Sequence, residues 1–265
     1  DKTDFHLYPL NFRQYCQLIT KKNEKPDKNQ LRQCFEDYLQ CGGYLRAIND
    51  FAINNVVSQS TFQTYEQWIR GDFLKQGKQE VYLLSVLQAL IEVGVSQISY
   101  STLTQKVGDM SKDTLINYCQ LLERMDILFH LQAFDQNKKQ GFPRKNRKFH
   151  FTDPFICRTI VAWLTREGLQ DLTVSDNTLV EACLASHCNR LSKTYYFKGQ
   201  GEIDVIWCNE KTIQAIEVKW ANQIKPTDLK MLKHFKHALI LTKQQAGDIE
   251  HIQAIPVDDF LYDRF

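Results

Sequence analysis

Between Gly201 and Trp220 the chain reads GEIDVIWCNEKTIQAIEVKW, with acidic residues and a lysine set inside apolar, strand-like runs. β-Branched and aromatic residues fill 202–207 and 213–220, and the polar stretch Asn209 to Thr212 separates them, which is the pattern of a β-hairpin. Side chains alternate along a strand, so Glu202, Asp204 and Ile206 share one face, Glu217 and Lys219 share one face, and Ile203, Val205, Ile216 and Val218 point the other way. A turn centred between Glu210 and Lys211 puts Asp204 opposite Glu217. Two carboxylates opposed across a ladder repel, and a divalent cation removes that cost. Mg²⁺ (or Mn²⁺) binds through one or two carboxylates, keeps several waters, takes phosphate oxygens and lowers the pKa of bound water. Lys219, two residues beyond Glu217, is spaced to polarise that water and stabilise charge on a phosphate. A solvated same-face charge pair is the structural alternative for Glu217 and Lys219.

A third acid precedes the hairpin. Asp176 or Asn177 caps a helix running through Leu191, whose apolar stripe is Val180, Cys183, Leu184, His187, Cys188 and Leu191. Glu181 lies beside that stripe, either aimed into a site or favoured by the helix dipole. Thr194–Phe197 then forms a first strand, Pro226 opens a helix carrying Leu229, Leu232 and Phe235, Ala238–Thr242 is a buried strand, and a last strand runs through His251–Val257. Glu202 reads as a further ligand or a supporting acid.

Glu181, Asp204 and Glu217-Val218-Lys219 resemble the active-site signature of the PD-(D/E)XK nuclease superfamily, which carries a helix acid, an Asp on the second strand and E-x-K on the third. The resemblance covers about Asp176 to Leu241. It implies a restriction-endonuclease-like fold and Mg²⁺-dependent hydrolysis of a nucleic-acid phosphodiester, DNA before RNA. Asp204 and Glu217 would ligate the metal, Glu181 would support it directly or through water, and Lys219 would orient the attacking water.

The preceding segment has its own plan. Val81–Val93, Tyr100–Val107 and Lys112–Met125, the last capped by Ser111, read as three helices; Ile127–Phe134 and Lys148–Thr152 follow as strands. Three helices and a hairpin make a winged helix. Its tip, Asp135–Arg147, and the strand start carry Lys138, Lys139, Arg144, Lys145, Arg147 and Lys148 without an acid among them, which suits phosphate contacts. The alternative is a merely soluble loop. In the third helix Lys112, Thr114, Asn117 and Gln120 could face a groove, although Asp113 and Glu123 oppose that.

Upstream, a helix starts near Tyr8–Tyr15, a loop spans Thr20–Asn29, and helices cover Leu31–Leu39 and Phe62–Leu74, with Gly42-Gly43 as a break. The Pro9-Leu10-x-Phe12 opening, the Gly42-Gly43-Tyr44 stretch and Phe151–Phe155 are similar to segments following the ATPase core in a group of prokaryotic AAA+-type ATPases. No G-x-x-x-x-G-K-[ST] motif occurs, so the resemblance implies an ATPase core outside this chain. The chain opens on Asp1 and reads as part of a longer protein.

The expected architecture is α/β: a helical segment over 1–77, a winged helix over 78–170, and a mixed-sheet restriction-endonuclease-like domain over 171–265. A net charge of +2 does not by itself mark a nucleic-acid binder. Eight cysteines without C-x-x-C spacing read as reduced core residues, and no signal peptide or membrane span is visible, so a cytoplasmic setting without membrane contact is expected. The histidines lack H-x-x-x-H spacing for zinc, and no serine or cysteine nucleophile has a supporting constellation. Two rival readings remain: a non-catalytic recognition module on a lapsed nuclease fold, and a winged-helix transcription regulator binding DNA without metal.

Overall fold

The computed structural model describes residues 7–169, 172–209, 212–221 and 223–265. It is an α/β protein in which about half of the residues are helical. The helical N-terminal region comprises α1 (Phe12–Thr20), α2 (Lys28–Cys41), α3 (Leu45–Asn54), α4 (Gln59–Lys75) and α5 (Glu80–Val93). Then come β1 (Gln97–Ile98), α6 (Tyr100–Val107), α7 (Lys112–Arg124), β2 (Leu128–Asp135), β3 (Gln140–Phe151) and α8 (Pro154–Arg166). The remainder is α9 (Asp176–Leu191), β4 (Thr194–Lys198), β5 (Glu202–Cys208), β6 (Ile213–Lys219), α10 (Pro226–Leu229), β7 (Ala238–Thr242), β8 (Gly247–Ile249), β9 (Ile252–Pro256) and α11 (Val257–Arg264).

Side-chain caps start most helices: Asn11 in a reciprocal box with Gln14, Asp27, Ser58, Ser99, Ser111, Asp153 and Ser175 each accept from a first-turn backbone N–H. Ser175, not Asp176 or Asn177, caps α9, because its hydroxyl reaches the Thr178 N–H. The helix expected from Pro226 to Phe235 is shorter. One α-turn is followed by a 3₁₀ turn at Leu232–His234, and Leu229, Leu232 and Phe235 at three-residue spacing suit that tighter winding.

Among the described residues, nine strands form one mixed sheet in the order β1-β3-β2-β4-β5-β6-β7-β9-β8. The sheet draws strands from both sides of residue 170. β2 runs parallel to β4 through Gln132↔Tyr195 and Ala133↔Tyr196, so the first hairpin and the second join edge to edge. The boundary expected between residues 170 and 171 lies outside the described residues. One apolar cluster extends from Phe12 to Tyr262, and a smaller one, with Ile203, Ile206, Ala215, Leu229, Leu232 and Ile240, covers the sheet where α10 and the 3₁₀ turn pack. The N-terminal helices are tied to the C-terminal part directly: the Phe12 N–H donates to His187 Nε2 (3.0 Å), and Arg32 forks onto Asp258 (2.7 and 3.2 Å).

Candidate active site

The hairpin register sets the site. Val205↔Ile216, Ile206↔Ala215, Trp207↔Gln214 and Cys208↔Ile213 pair across β5 and β6, and Asn209 and Thr212 exchange backbone hydrogen bonds at the turn. Glu210 and Lys211, expected at the turn's centre, lie outside the described residues. One step beyond Val205↔Ile216, the same register puts Asp204 level with Glu217.

Strict alternation along β5 does not hold. The β4–β5 pairing passes from Tyr195↔Ile206 to Phe197↔Ile203, so Asp204 and Val205 together oppose Tyr196. Such a bulge puts one extra residue in a strand and re-aims a side chain. Its effect is that Ile203, expected beside Val205, packs instead with Ile206 in the smaller cluster.

The four expected catalytic residues arrive from three elements: Glu181 from the second turn of α9, Asp204 from the β5 bulge, and Glu217 and Lys219 from β6. Asp204 Oδ2 accepts the Val218 N–H (3.0 Å), which fixes that carboxylate against the neighbouring strand. Lys219 Nζ lies 3.0 Å from Glu217 Oε1 and 3.9 Å from Asp228 Oδ1, with its side chain 34% exposed. Glu181 and Glu217 are buried. Beside them opens a cleft of about 210 Å³ lined by Gly201, Glu202, Glu217, Lys219, Lys230 and Met231. A Cβ on Gly201 would overlap the Met231 side chain, which would have to shift.

Sequence reasoning missed the residue at the centre of the cluster. Lys148, assigned above to the phosphate-binding wing, is 1% exposed and points inward. Its Nζ lies 2.9 Å from Glu181 Oε1, 2.7 Å from Glu202 Oε1 and 3.2 Å from Asp204 Oδ1. A buried ammonium persists only where such partners replace its hydration. Lys148 therefore leaves the nucleic-acid group. Its own placement inside a strand, next to Phe149, was the available signal. Gln97 from β1 joins it, donating Nε2–H to Glu202 Oε2 (2.9 Å).

The other five cations of the β2–β3 hairpin behave differently. Lys138 and Lys139 sit exposed at the hairpin tip, and Arg144 and Lys145 are exposed where residues 143–146 bulge out between Ala133↔Phe142 and Gln132↔Arg147. Arg147 is half-buried, its guanidinium 4.2 Å above the Tyr100 ring and hydrogen-bonded to the Pro143 carbonyl (3.1 Å).

Acids outnumber cations in the cluster. Glu181, Glu202, Asp204 and Glu217 face Lys148 and Lys219, while Lys198 reaches Glu202 at 3.5 Å from the solvent side. Burial and the Asp204 charge push the Glu181 carboxyl up to about 8 despite Lys148. Burial and Asp204 do the same to Glu217, also to about 8, despite Lys219. Burial opposes ionisation of Glu202 as well, but Lys148 outweighs it and holds that carboxyl below its ordinary range. Burial lowers the Lys148 pKa; Glu181, Asp204 and Glu202 reverse this and hold it above the usual lysine value. The donors are all oxygen, with negative charge in excess, the ligand type a hard divalent cation takes, although among the described residues no three of these acids are gathered at metal-holding distance.

Residues 32–167, just over half of the chain, match a family described as a domain of unknown function, DUF8612, and the chain belongs to that family. Residues 174–260 match a second domain of unknown function, DUF4143, a domain found in AAA-ATPase-associated proteins. Neither the curated proteins nor the solved structures yielded a match. No helix among the described residues is long and apolar enough to cross a membrane.

Proposed function

We propose that this chain is a metal-dependent nuclease that hydrolyses DNA phosphodiester bonds on a PD-(D/E)XK scaffold, working beside an ATPase core. The observation that carries the reading is the buried excess of carboxylate beside one cleft: Glu217 lines it, Asp204 and Glu181 stand behind it around Lys148, and burial together with the Asp204 charge raises Glu181 and Glu217 to about 8. Asp204 and Glu217, with Glu181, would hold Mg²⁺ or Mn²⁺. Bound there, the ion would supply charge neutralisation and acidify a water. The chain's own residues do the rest. Asp204 is fixed by the Val218 N–H, and Glu217 and Lys219 leave β6 on the cleft side. Lys219, partly exposed, is the group able to hold a water's oxygen and to meet charge accumulating on a phosphate.

Helices α5, α6 and α7 with the β2–β3 hairpin serve in this reading as a winged helix, whose exposed Lys138, Lys139, Arg144 and Lys145 hold phosphates. The DUF4143 match supports coupling to an ATPase.

A second reading, a non-catalytic module that docks nucleic acid or protein, is favoured by one observation: Lys148 already fills the space between Glu181, Glu202 and Asp204. Cleavage of supercoiled and linear DNA with Mg²⁺ or Mn²⁺ separates the two. Nicking that Asp204→Ala and Lys219→Ala both abolish is the expected result. Intact DNA, with no metal uptake by calorimetry, would leave the docking module.

A further inference from the structure

Lys148 is the least expected member of the acid cluster and the most fully used. An ammonium has three N–H donors, and three carboxylate oxygens, from Glu181, Glu202 and Asp204, lie within 3.2 Å of this one. They come from α9 (Glu181), from the first residue of β5 (Glu202) and from the β5 bulge (Asp204). Asp204 is then engaged at both oxygens, Oδ1 by Lys148 and Oδ2 by the Val218 N–H. Lys148 is delivered by β3, pairing with Leu131 on one side and Gln97 on the other, and Gln97 also donates to Glu202. Tyr196, which faces the bulge, donates its hydroxyl to the Asn146 carbonyl (2.6 Å), closing the same corner from the β3 side.

A cation in that position has two consequences. It compensates three acids that would otherwise repel one another, so it keeps the cluster assembled without a metal. It also competes for the oxygens a metal would use: a divalent ion on Glu181 and Asp204 would stand close to a buried ammonium, where repulsion is weakly screened. We propose that Lys148 is a built-in counter-ion that preassembles the acid cluster and competes with the divalent cation for Glu181 and Asp204. Metal uptake then requires the Lys148 side chain to withdraw, which makes occupancy of the cleft depend on strand β3. This inference rests on the metal-site reading above and adds its regulation.

The test is calorimetric titration of the whole chain with Mn²⁺, without DNA, comparing wild type, Lys148→Met and Lys148→Arg. Methionine keeps the length and apolar stem but not the charge; arginine keeps the charge. Folding of each variant is checked by circular dichroism. The expected result is Mn²⁺ affinity raised roughly tenfold or more by Lys148→Met and not raised by Lys148→Arg. Equal or weaker binding by folded Lys148→Met, or no Mn²⁺ uptake by any of the three, overturns the proposal. Should Lys148→Met fail to fold, ¹⁵N spectra of the lysine ammonium groups in wild type give the second readout. The Lys148 signal, assigned by its loss in Lys148→Arg, moves on Mg²⁺ saturation if the proposal holds and stays fixed if it does not. The outcome is separable from the nuclease reading. Tighter Mn²⁺ binding without any cleavage sinks the nuclease and keeps the competition; cleavage by wild type with unchanged affinity in Lys148→Met does the reverse.

Discussion

Replacing Glu181 by glutamine probes the charge excess without removing the contact to Lys148, since the amide oxygen can still accept from Nζ at the position of Oε1. The folded carboxyl is raised from 4.5 to about 8 by burial and by Asp204. For an acid whose folded pKa exceeds its unfolded one, the fold binds the extra proton, so its stabilising contribution is complete below about 4.5 and is lost as pH rises through about 8. At about 1.4 kcal/mol per pKa unit, about 2 kcal/mol of that loss falls above pH 6.5, shared with Glu217, which shifts in the same direction. For a chain of this size that is on the order of 5–10 °C in Tm. The assay is thermal unfolding by circular dichroism at pH 6.5–8.5 in a chelator. Other groups interfere little in that window. Burial raises Asp153 only to about 6, so its loss is largely complete below it, and His150 and His187, held neutral by burial, destabilise the fold only as pH falls below about 6.5. Buried thiols titrate alike in both chains and cancel in the difference. Wild type should lose stability across the window, and Glu181→Gln should lose half as much or less. Mg²⁺ should stabilise wild type more at pH 8.5 than at 6.5, because fewer protons are displaced. Equal slopes in the two chains would refute the claim that crowded carboxylates set the chemistry of this cleft.

Neutralising Lys138, Lys139, Arg144 and Lys145 together with glutamine should weaken binding to duplex DNA evenly across sequences. The slope of log K against log salt should shrink by about 0.9 for each phosphate no longer neutralised, and an unchanged slope would remove the hairpin from the DNA interface. Gly43→Ala should cost about 1–3 kcal/mol in denaturant unfolding, because the added Cβ overlaps the Leu10 carbonyl oxygen where Gly43 also donates to Asp153 (2.9 Å). Wild-type stability in that variant would mean the α1 approach yields more easily than its backbone contacts indicate.

What the sequence discloses and what it hides follow from range. The β5–β6 register is legible because a four-residue polar gap between two β-branched runs leaves little choice of turn. The α/β class follows from the same patterns. Helix α3 escapes notice because its burial is slight: only Ala47 and Ile48 are buried, while the apolar Leu45 and Ile53 are exposed beside Arg46, Asn49, Asp50 and Asn54. The β5 bulge has no local signature; it exists because Tyr196 on a neighbouring strand takes two residues against one. Lys148 is the clearest case. In the sequence it closes a run of cations, and nothing separates it from Arg147 except that the strand begins to alternate there. Its partners lie 33 to 56 residues onward in α9 and β5, and the β2–β4 junction and the packing of α9 on β3 bring them together.

That junction changes what counts as the functional unit. The two family matches divide the chain at about residue 170, yet the acid cluster belongs to both parts: Gln97 and Lys148 come from the first, Glu181, Glu202, Asp204, Glu217 and Lys219 from the second. Cut apart, the second part would expose the β4 edge and leave three carboxylates without their buried cation, each an expense that the joined sheet avoids. The helical first part is therefore more than a neighbour that positions a partner. Through β1 and β3 it supplies the charge that lets the cluster exist in the absence of metal, and any force applied to the exposed Arg144–Lys145 bulge acts on the same strand, three residues from Lys148.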